Sequence, residues 1–389
     1  NSGNLSKFLG CWSEDFYGGP KVKEFEKNCA KYFGVKYAVT VNSWTSGLIA
    51  AVGAIGIEPG DEVIVPTWTM CATATAVLHW NAIPVFADID PHTFNICPLS
   101  IEKCLSSYTR AIIAVDLFGQ SCDIESIMRI AKRNDLKVIT DTAQSPGALY
   151  KGEKTGTQSH IGGYSLNYHK HINTGEGGIL VTNSTELAER LQLIRNHGEA
   201  VVKDKPVSNL SNIIGYNFRL GEIEAAIGIE QLRKLDKFVK SRQKAADKLT
   251  EYIKDLPGIT VPYITRGSTH SYYIYPIVLD IETLGVTRTQ IIQALKAEGL
   301  DGVGSGPIPL HLLPMYQEKI AYGTRGFPWN SEICKREVSY KEGICPVAEK
   351  LHNSNYISFQ MCLYELDEHD INKVGKAFRK VWKFLVGNK

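Results

Sequence analysis

Residues 165–178, SLNYHKHINTGEGG, place a lysine between two histidines just ahead of a glycine-rich turn. Lys170 could act as a nucleophile, because burial or a neighbouring cation lowers the pKa of a lysine amine from its ordinary value of about 10.4. His169 and His171 could instead bind a metal ion, although they are two residues apart and the sequence shows no third ligand. A solvated basic loop is the remaining interpretation. The segment alone leaves all three open.

A carboxylate ends the apolar stretch in VITDTAQSPG. Asp141 closes a predicted strand, where an unpaired charge is costly to bury, so the residue needs a cationic partner. A protonated pyridine nitrogen would serve, as in cofactors that act as electron sinks. Taken by itself, Asp141 is more simply explained as an N-cap or as a member of a salt bridge.

The segment VNSWTSG follows the first predicted strand and opens a helix. Its backbone N–H groups and the hydroxyls of Ser43, Thr45 and Ser46 could cradle a phosphate, and an ordinary N-cap explains Ser43 or Thr45 equally well. A phosphate cradle, an acidic strand end and a later lysine, in this order on one parallel sheet, predict a site for pyridoxal 5'-phosphate (PLP).

Strand and helix patterns alternate through the first half of the chain, which is typical of a mostly parallel sheet with helices on both faces. Apolar residues at helical spacing predict a helix over 20–34, and a long helical stretch is predicted from about 221 to 255. The following LPGITVP marks the predicted boundary between a large domain, 1–255, and a smaller α+β domain, 256–389.

Composition limits the possible partners. The chain has 389 residues, of which 43% are hydrophobic, and 43 basic and 41 acidic side chains give it a net charge of +2. Such balance favours neither nucleic acid nor an anionic membrane. We expect no membrane span, no signal peptide and a cytoplasmic location. Nine cysteines without CxxC spacing are expected to be reduced thiols, and no metal site is expected.

Six blocks of the sequence resemble, in order and approximate spacing, the DegT/DnrJ/EryC1/StrS family of sugar aminotransferases. The blocks are YGGPKVKEFEKNCAKYFGVKYAVTVNSWTSGL, DEVIVPTWTMCATATAVLHWNAIPVFADID, DTAQSPGA, SLNYHKHINTGEGGILVTN, IRNHG and GYNFRLGEIEAAIGIEQL. The resemblance implies a fold type I PLP enzyme with a mostly parallel seven-stranded sheet between layers of helices. It also implies a smaller C-terminal α+β domain and a homodimer with shared active sites.

The same resemblance implies a role for individual residues. Lys170 matches the lysine that forms a Schiff base with PLP and moves the proton, and Asp141 matches the partner of the pyridinium nitrogen. The other cofactor residues implied are Thr45, Ser46 and Ser165 at the phosphate, Met70 at the ring face, Gln144 near the ring hydroxyl, and Asn217 at the phosphate of the neighbouring subunit. His311, Arg219 and His169 are the residues expected near the sugar.

Two positions depart from the family pattern. An aromatic residue usually lies against the ring at the position of Met70, and here the aromatic is Trp68, two residues earlier. Either the Met70 thioether packs on the ring or the loop is rearranged. Trp44 occupies a place commonly held by a small residue, and we expect it to reshape the cofactor pocket.

The implied reaction is transamination of a keto or aldehyde sugar, with L-glutamate as the amino donor. Segments 165–178, 41–47 and 327–352 are similar to a subgroup that aminates C8 of an oxidised octulosonate, giving 8-amino-3,8-dideoxy-manno-octulosonate for lipopolysaccharide. Such an acidic sugar needs a cationic recognition group, and the candidates are Arg219, His311, Lys335 and Arg336. The alternatives are a nucleotide-linked 4-keto-6-deoxy sugar as substrate, a PLP-dependent sugar dehydratase, and a non-catalytic protein on the same fold.

Overall fold

The computed structural model describes residues 3–387 and contains thirteen strands within them. In chain order the strands are β1 (Tyr37–Val41), β2 (Glu62–Pro66), β3 (Ile83–Ala87), β4 (Thr109–Val115), β5 (Lys137–Asp141), β6 (Leu149–Tyr150), β7 (Glu153–Lys154), β8 (Ile161–Ser165), β9 (Gly178–Thr182), β10 (Ile259–Thr260), β11 (Ile274–Leu279), β12 (Val303–Gly304) and β13 (Tyr356–Gln360).

Seven of these strands form the central sheet, in the order β1-β9-β8-β5-β4-β2-β3. The pairs β2–β3, β2–β4, β4–β5 and β5–β8 are parallel, whereas β9 runs antiparallel to both of its neighbours. Most of these strands are buried along their whole length, because helices cover both faces of the sheet. The predicted mostly parallel seven-stranded sheet of a fold type I enzyme is confirmed.

The helices fill the connections between strands. Those in the described residues are α1 (Pro20–Phe33), α2 (Trp44–Ala54), α3 (Ala72–His79), α4 (Pro98–Cys104), α5 (Ile124–Arg133), α6 (Thr185–Arg195), α7 (Glu222–Leu232), α8 (Leu235–Ile253), α9 (Ile281–Leu284), α10 (Arg288–Ala297), α11 (Pro314–Gln317), α12 (Pro346–Lys350) and α13 (Glu368–Leu385). The predicted helix over 20–34 matches α1, which begins at Pro20 and ends before Gly34 in the left-handed conformation.

The long helical stretch predicted from 221 to 255 is two helices, α7 and α8, separated at Arg233 and Lys234. Neither proline nor glycine marks the break, so the sequence pattern did not reveal it. The change of direction lets α7 pack on α1 while α8 continues to α13 of the C-terminal region. Tertiary packing therefore decides where the first helix ends.

A second antiparallel sheet, in the order β10-β11-β13-β12, forms the C-terminal α+β region together with α10 and α13. Its hydrophobic core also includes the last two turns of α8, from Ala245 to Ile253. In contrast, the side chains of residues 310–351 that become buried, such as Tyr316 and Tyr340, belong to the core around the central sheet. The domain boundary at residue 255 stays a prediction.

Within residues 3–387, no helix has both the length and the apolar character needed to cross a membrane.

Gly53 allows a test of how closely α2 packs against Trp80. An added Cβ would lie 2.2 Å from Cζ2 of the buried Trp80 indole. Alanine in place of glycine usually stabilises a helix by about 1 kcal/mol, but here we expect Gly53→Ala to lower the free energy of unfolding by ~1–3 kcal/mol through overpacking. Chemical denaturation measures the change. The loss should shrink in a Trp80→Leu background, and an equal loss in both backgrounds would contradict the steric explanation.

Candidate active site

Two predicted site residues stand at the carboxyl ends of neighbouring parallel strands. Asp141 ends β5, and Ser165 ends β8. Asp141 pairs in register with Gly163, two residues before Ser165. In an open parallel sheet this edge is where ligands bind, and the loop that follows β8 carries Lys170.

Three neutral donors hold the buried carboxylate of Asp141. The Trp44 indole N–H donates to Oδ1 at 2.6 Å and the Ala143 backbone N–H donates to the same oxygen at 3.2 Å, while the Thr73 hydroxyl donates to Oδ2 at 3.2 Å. Burial raises the pKa of Asp141, and these donors together with the charge of Lys170 oppose that shift. Among the described residues no salt bridge reaches this carboxylate.

Lys170 lies in a compact loop and its ammonium group is largely shielded from water. The loop closes on itself through hydrogen bonds from Thr174 N–H to Leu166 O and from Leu166 N–H to Gly177 O. Nζ lies 4.2 Å from the centroid of the Tyr273 ring, as in a cation–π contact. Burial lowers the pKa of Lys170 to about 8, and the charge of Asp141 limits the shift. The lysine therefore loses its proton at a lower pH than an ordinary lysine does.

The two flanking histidines differ from each other. His171 is buried, and its Nε2–H donates to the Ser271 carbonyl at 2.8 Å, while Nδ1 has no partner in the described chain. Burial holds the pKa of His171 well below its ordinary value, so the ring is neutral. His169 is half-buried, its ring lies 6.0 Å from that of Tyr273, and burial lowers its pKa as well. His171 therefore packs against backbone, and His169 borders the Lys170 loop.

The N-terminus of α2 has the form expected of a phosphate cradle. Ser43 caps the helix, since its Oγ accepts from the Ser46 N–H at 3.1 Å and lies 2.9 Å from the Ser46 hydroxyl. Thr45 is exposed at the same end. The Asn217 carbonyl accepts from the Asn42 side chain at 3.3 Å, just before the cap.

The remaining cofactor candidates occupy separate positions. Gln144 accepts a hydrogen bond from the Phe118 N–H at 2.9 Å, and Ser165 accepts one from Asn167 at 3.3 Å. Met70 is 64% exposed, whereas Trp68 is completely buried. The Trp68 indole donates to Pro307 O and packs in the core, so of these two side chains only Met70 is free to contact a ligand.

The structure corrects the expectation for His311. This side chain is completely buried, its Nδ1 is hydrogen-bonded to the Thr67 hydroxyl at 2.5 Å, and its Nε2 contacts Glu349 at 2.9 Å. With both ring nitrogens engaged inside the protein, His311 cannot contact a sugar in this conformation. Its hydrogen bonds instead join the end of β2 to α12.

Two further cationic candidates lie far from the lysine. Arg336 forms a bidentate salt bridge, at 2.6 and 2.9 Å, with Glu62 at the start of β2. That position is the amino edge of the parallel sheet, opposite to the edge that carries Asp141. Lys335 adjoins it and donates to the Glu332 carbonyl. Arg219 is different, because its guanidinium donates to Asn217 Oδ1 at 2.6 Å, near the helix cap.

Sequence reasoning did not identify three side chains that contact the key groups. Trp44 was noted only as an unusual residue, and its hydrogen bond to Asp141 was not foreseen. Thr73 on α3 and Tyr273 before β11 were not singled out. A donor to Asp141 from another element leaves no local pattern, although the large residue at position 44 was a signal that the pocket differs.

These residues fit PLP. Within the described chain the buried Asp141 carboxylate forms no salt bridge, and a protonated pyridine nitrogen would supply one. The pKa of the shielded Lys170 amine is lowered to about 8, which activates it as a nucleophile. The capped N-terminus of α2 offers the N–H groups that a phosphate requires.

The chain is similar to known sugar-modifying proteins. It is 36% identical to the spore coat polysaccharide biosynthesis protein SpsC of Bacillus subtilis over 82% of this chain and 84% of that protein. It is 38% identical to a GDP-perosamine synthase of Caulobacter vibrioides over 77% of this chain and 79% of that enzyme. The crystal structure of S. venezuelae DesV with a ketimine intermediate superposes with a TM-score of 0.81 at 30% identity, covering 94% of this chain and 90% of DesV.

The family model for the DegT/DnrJ/EryC1/StrS aminotransferases matches residues 11–350, which is most of the chain. The fold, the cofactor and the class of reaction follow from that match together with the relatives above. The chain therefore belongs to the DegT/DnrJ/EryC1/StrS aminotransferase family, and it is a PLP-dependent sugar aminotransferase.

Proposed function

We propose that this enzyme transfers the amino group of L-glutamate to C8 of an oxidised octulosonate, forming 8-amino-3,8-dideoxy-manno-octulosonate for lipopolysaccharide, and that it does so in the cytoplasm. The observation that carries the transamination is the placement of a shielded amine, Lys170, within electrostatic reach of the buried carboxylate of Asp141. The choice of sugar rests on the resemblance of segments 41–47, 165–178 and 327–352 to the C8-aminating subgroup.

The catalytic roles follow from the environment of each group. PLP, when bound, provides an electron sink for the bond changes at the donor's α-carbon. Lys170 would hold the cofactor and, once released, move the proton as general base and acid, for which a pKa of about 8 suits it. Asp141 would keep the ring nitrogen protonated, since a charged carboxylate in a buried site favours a positive partner.

The proposed cofactor contacts surround these two residues. Thr45 and Ser46 at the start of α2 would bind the phosphate together with the helix N–H groups, and Ser165 would approach from the end of β8. Gln144 would lie near the ring hydroxyl. Met70 would pack on the ring face, because the nearby Trp68 is held in the core.

The acidic group of an octulosonate needs a cationic partner. Of the four side chains considered, Arg219 is the one that lies at the helix cap and is partly exposed. His311, Lys335 and Arg336 are placed elsewhere. We therefore assign recognition of the carboxylate to Arg219, and we place His169 beside the sugar because it borders the Lys170 loop.

A second candidate substrate is a nucleotide-linked 4-keto-6-deoxy sugar. It is favoured by the similarity to the GDP-perosamine synthase, whose name indicates a product linked to GDP. Sugar dehydration is a weaker alternative, since related dehydratases have histidine where this chain has Lys170. The neighbouring histidines flank that position without occupying it.

We also propose a homodimer with shared active sites. Ile223 and Ile227, four residues apart on α7, expose 52% and 43% of their surface, and Leu210 and Ile214 are exposed just before Asn217. Apolar side chains on one helix face next to a predicted intersubunit residue suit a contact with a second copy of the chain. Asn217 would then reach the cofactor phosphate of the neighbouring subunit.

The lowered pKa of Lys170 predicts how the cofactor-free enzyme captures PLP. A neutral amine is required, so the capture rate should rise with pH, reach half of its maximum near pH 8 and level off above that pH. Stopped-flow absorbance at a series of pH values measures this rate. Lys170→Arg, which keeps the charge, should not develop the wild-type visible band. A rate that keeps rising towards the ordinary lysine pKa of 10.5 would contradict the buried site.

Substrate identity is tested by a panel of keto and aldehyde sugars with L-glutamate, measured as release of 2-oxoglutarate. We expect the oxidised octulosonate to give the highest kcat/KM, and Arg219→Gln to raise KM for it by about tenfold, the usual scale for losing one charged hydrogen bond. Lys335→Gln, on the opposite edge of the sheet, is the matched control and should leave KM unchanged. Preference for a nucleotide-linked sugar would replace the octulosonate proposal with the second candidate.

The shared site is tested by mixing two inactive variants, Lys170→Ala and Asn217→Ala. In a hybrid dimer one site combines both changes, whereas the other combines Lys170 with the partner's intact Asn217, so activity should reappear on subunit exchange. Sedimentation velocity establishes whether dimers are present. Absence of any recovery in proven hybrid dimers would show that each site is built from one chain.

A further inference from the structure

Trp44 occupies a space that the surrounding backbone leaves for it. It is the first residue of α2, and its side chain is buried against the central sheet. A Cβ added to Gly163 would lie 2.1 Å from indole Cζ3, and one added to Gly47 would lie 2.8 Å from Cε3. A Cβ added to Gly178 would lie 3.0 Å from the Trp44 backbone. The indole is therefore a fixed part of the site.

The hydrogen bonds to Asp141 are unevenly divided between its two oxygens. Oδ1 accepts from the Trp44 indole at 2.6 Å and from the Ala143 N–H at 3.2 Å, so both of its lone pairs are used. Within residues 3–387, Oδ2 accepts only from the Thr73 hydroxyl, at 3.2 Å. One lone pair of Oδ2 remains for the N–H of a pyridinium ring.

The charge of Asp141 is opposed by its surroundings. Burial raises its pKa, whereas the charge of Lys170 favours the ionised form. The charge of Asp141 in turn contributes to the raised pKa, about 6, of the buried Asp116, although burial is the main cause there. Lys170 would hold the cofactor, and its amine would then no longer be free to support Asp141. An indole N–H can only donate, and its hydrogen bond is stronger to the ionised carboxylate than to the protonated carboxyl group.

We propose that Trp44 is a positioning residue, whose indole N–H holds Asp141 ionised and turned so that Oδ2 faces the ring nitrogen of PLP. The inference rests on the proposed role of Asp141 as partner of that nitrogen. A basic residue would also stabilise the ionised form of Asp141, but it would compete with the ring nitrogen for the carboxylate. The neutral indole N–H of Trp44 stabilises the ionised form without that competition. Through Asp141, position 44 is a determinant of cofactor electronics.

The experiment compares Trp44→Phe with Trp80→Phe in the PLP-loaded enzyme. Trp80 is the matched control, because its indole is also buried against α2 and donates to Ile49 O at 2.8 Å, away from Asp141. The main readout is the NMR chemical shift of ¹⁵N-labelled ring nitrogen, which separates pyridinium from neutral pyridine. Benzothienylalanine at position 44 keeps the two-ring shape without the N–H, and so covers the case in which phenylalanine impairs folding.

We expect the N–H-free variants at position 44 to bind PLP, to shift the nitrogen resonance towards neutral pyridine, and to lower kcat by about tenfold with KM within about twofold. Trp80→Phe should change neither the resonance nor kcat. If the nitrogen resonance is unchanged in the position-44 variants but shifts in Asp141→Asn, this inference is overturned. If Asp141→Asn also leaves the resonance unchanged, the proposed partner of the ring nitrogen is wrong and both proposals fall.

Discussion

The burial of a carboxylate and an amine at one edge of a parallel sheet is the constraint on which the rest of this site depends. Water would stabilise both charges, and the fold removes most of it from Asp141 and Lys170. Neutral donors, of which the Trp44 indole makes the shortest hydrogen bond, offset the burial of the carboxylate only in part. Within the described residues Asp141 has no salt-bridge partner, and the Lys170 amine is shielded from water. Both conditions favour the binding of PLP at this edge of the sheet.

The sheet topology brings these groups to one edge. Parallel neighbours β5 and β8 end at the same edge, so Asp141 and the loop after Ser165 meet there. The antiparallel β9 then returns the chain beside the start of α2, where Gly178 allows close approach to Trp44. Gly163 on β8 and Gly178 on β9 therefore leave the space that Trp44 on α2 fills.

Cationic side chains show why residue type is a poor guide to position. His311, Lys335 and Arg336 all had a charge or a hydrogen-bonding ring suited to an acidic sugar. The fold uses His311 to join β2 to α12 and Arg336 to pair with Glu62 at the far edge of the sheet. The contacts of His311 with Thr67 and of Arg336 with Glu62 each join residues more than two hundred positions apart. Only Arg219 stays near the helix cap.

The sequence by itself determined the alternation of strands and helices, the mostly parallel sheet and the cofactor, and it predicted the two groups that we propose carry the chemistry. These follow from local periodicity and from residues at strand ends, which short-range patterns record. Only the tertiary structure decided that α7 and α8 are separate helices, that Trp68 lies in the core, and that Trp44 holds Asp141. Those outcomes depend on which surfaces meet across the fold, and burial and hydrogen bonding between distant segments leave no periodic trace in the chain.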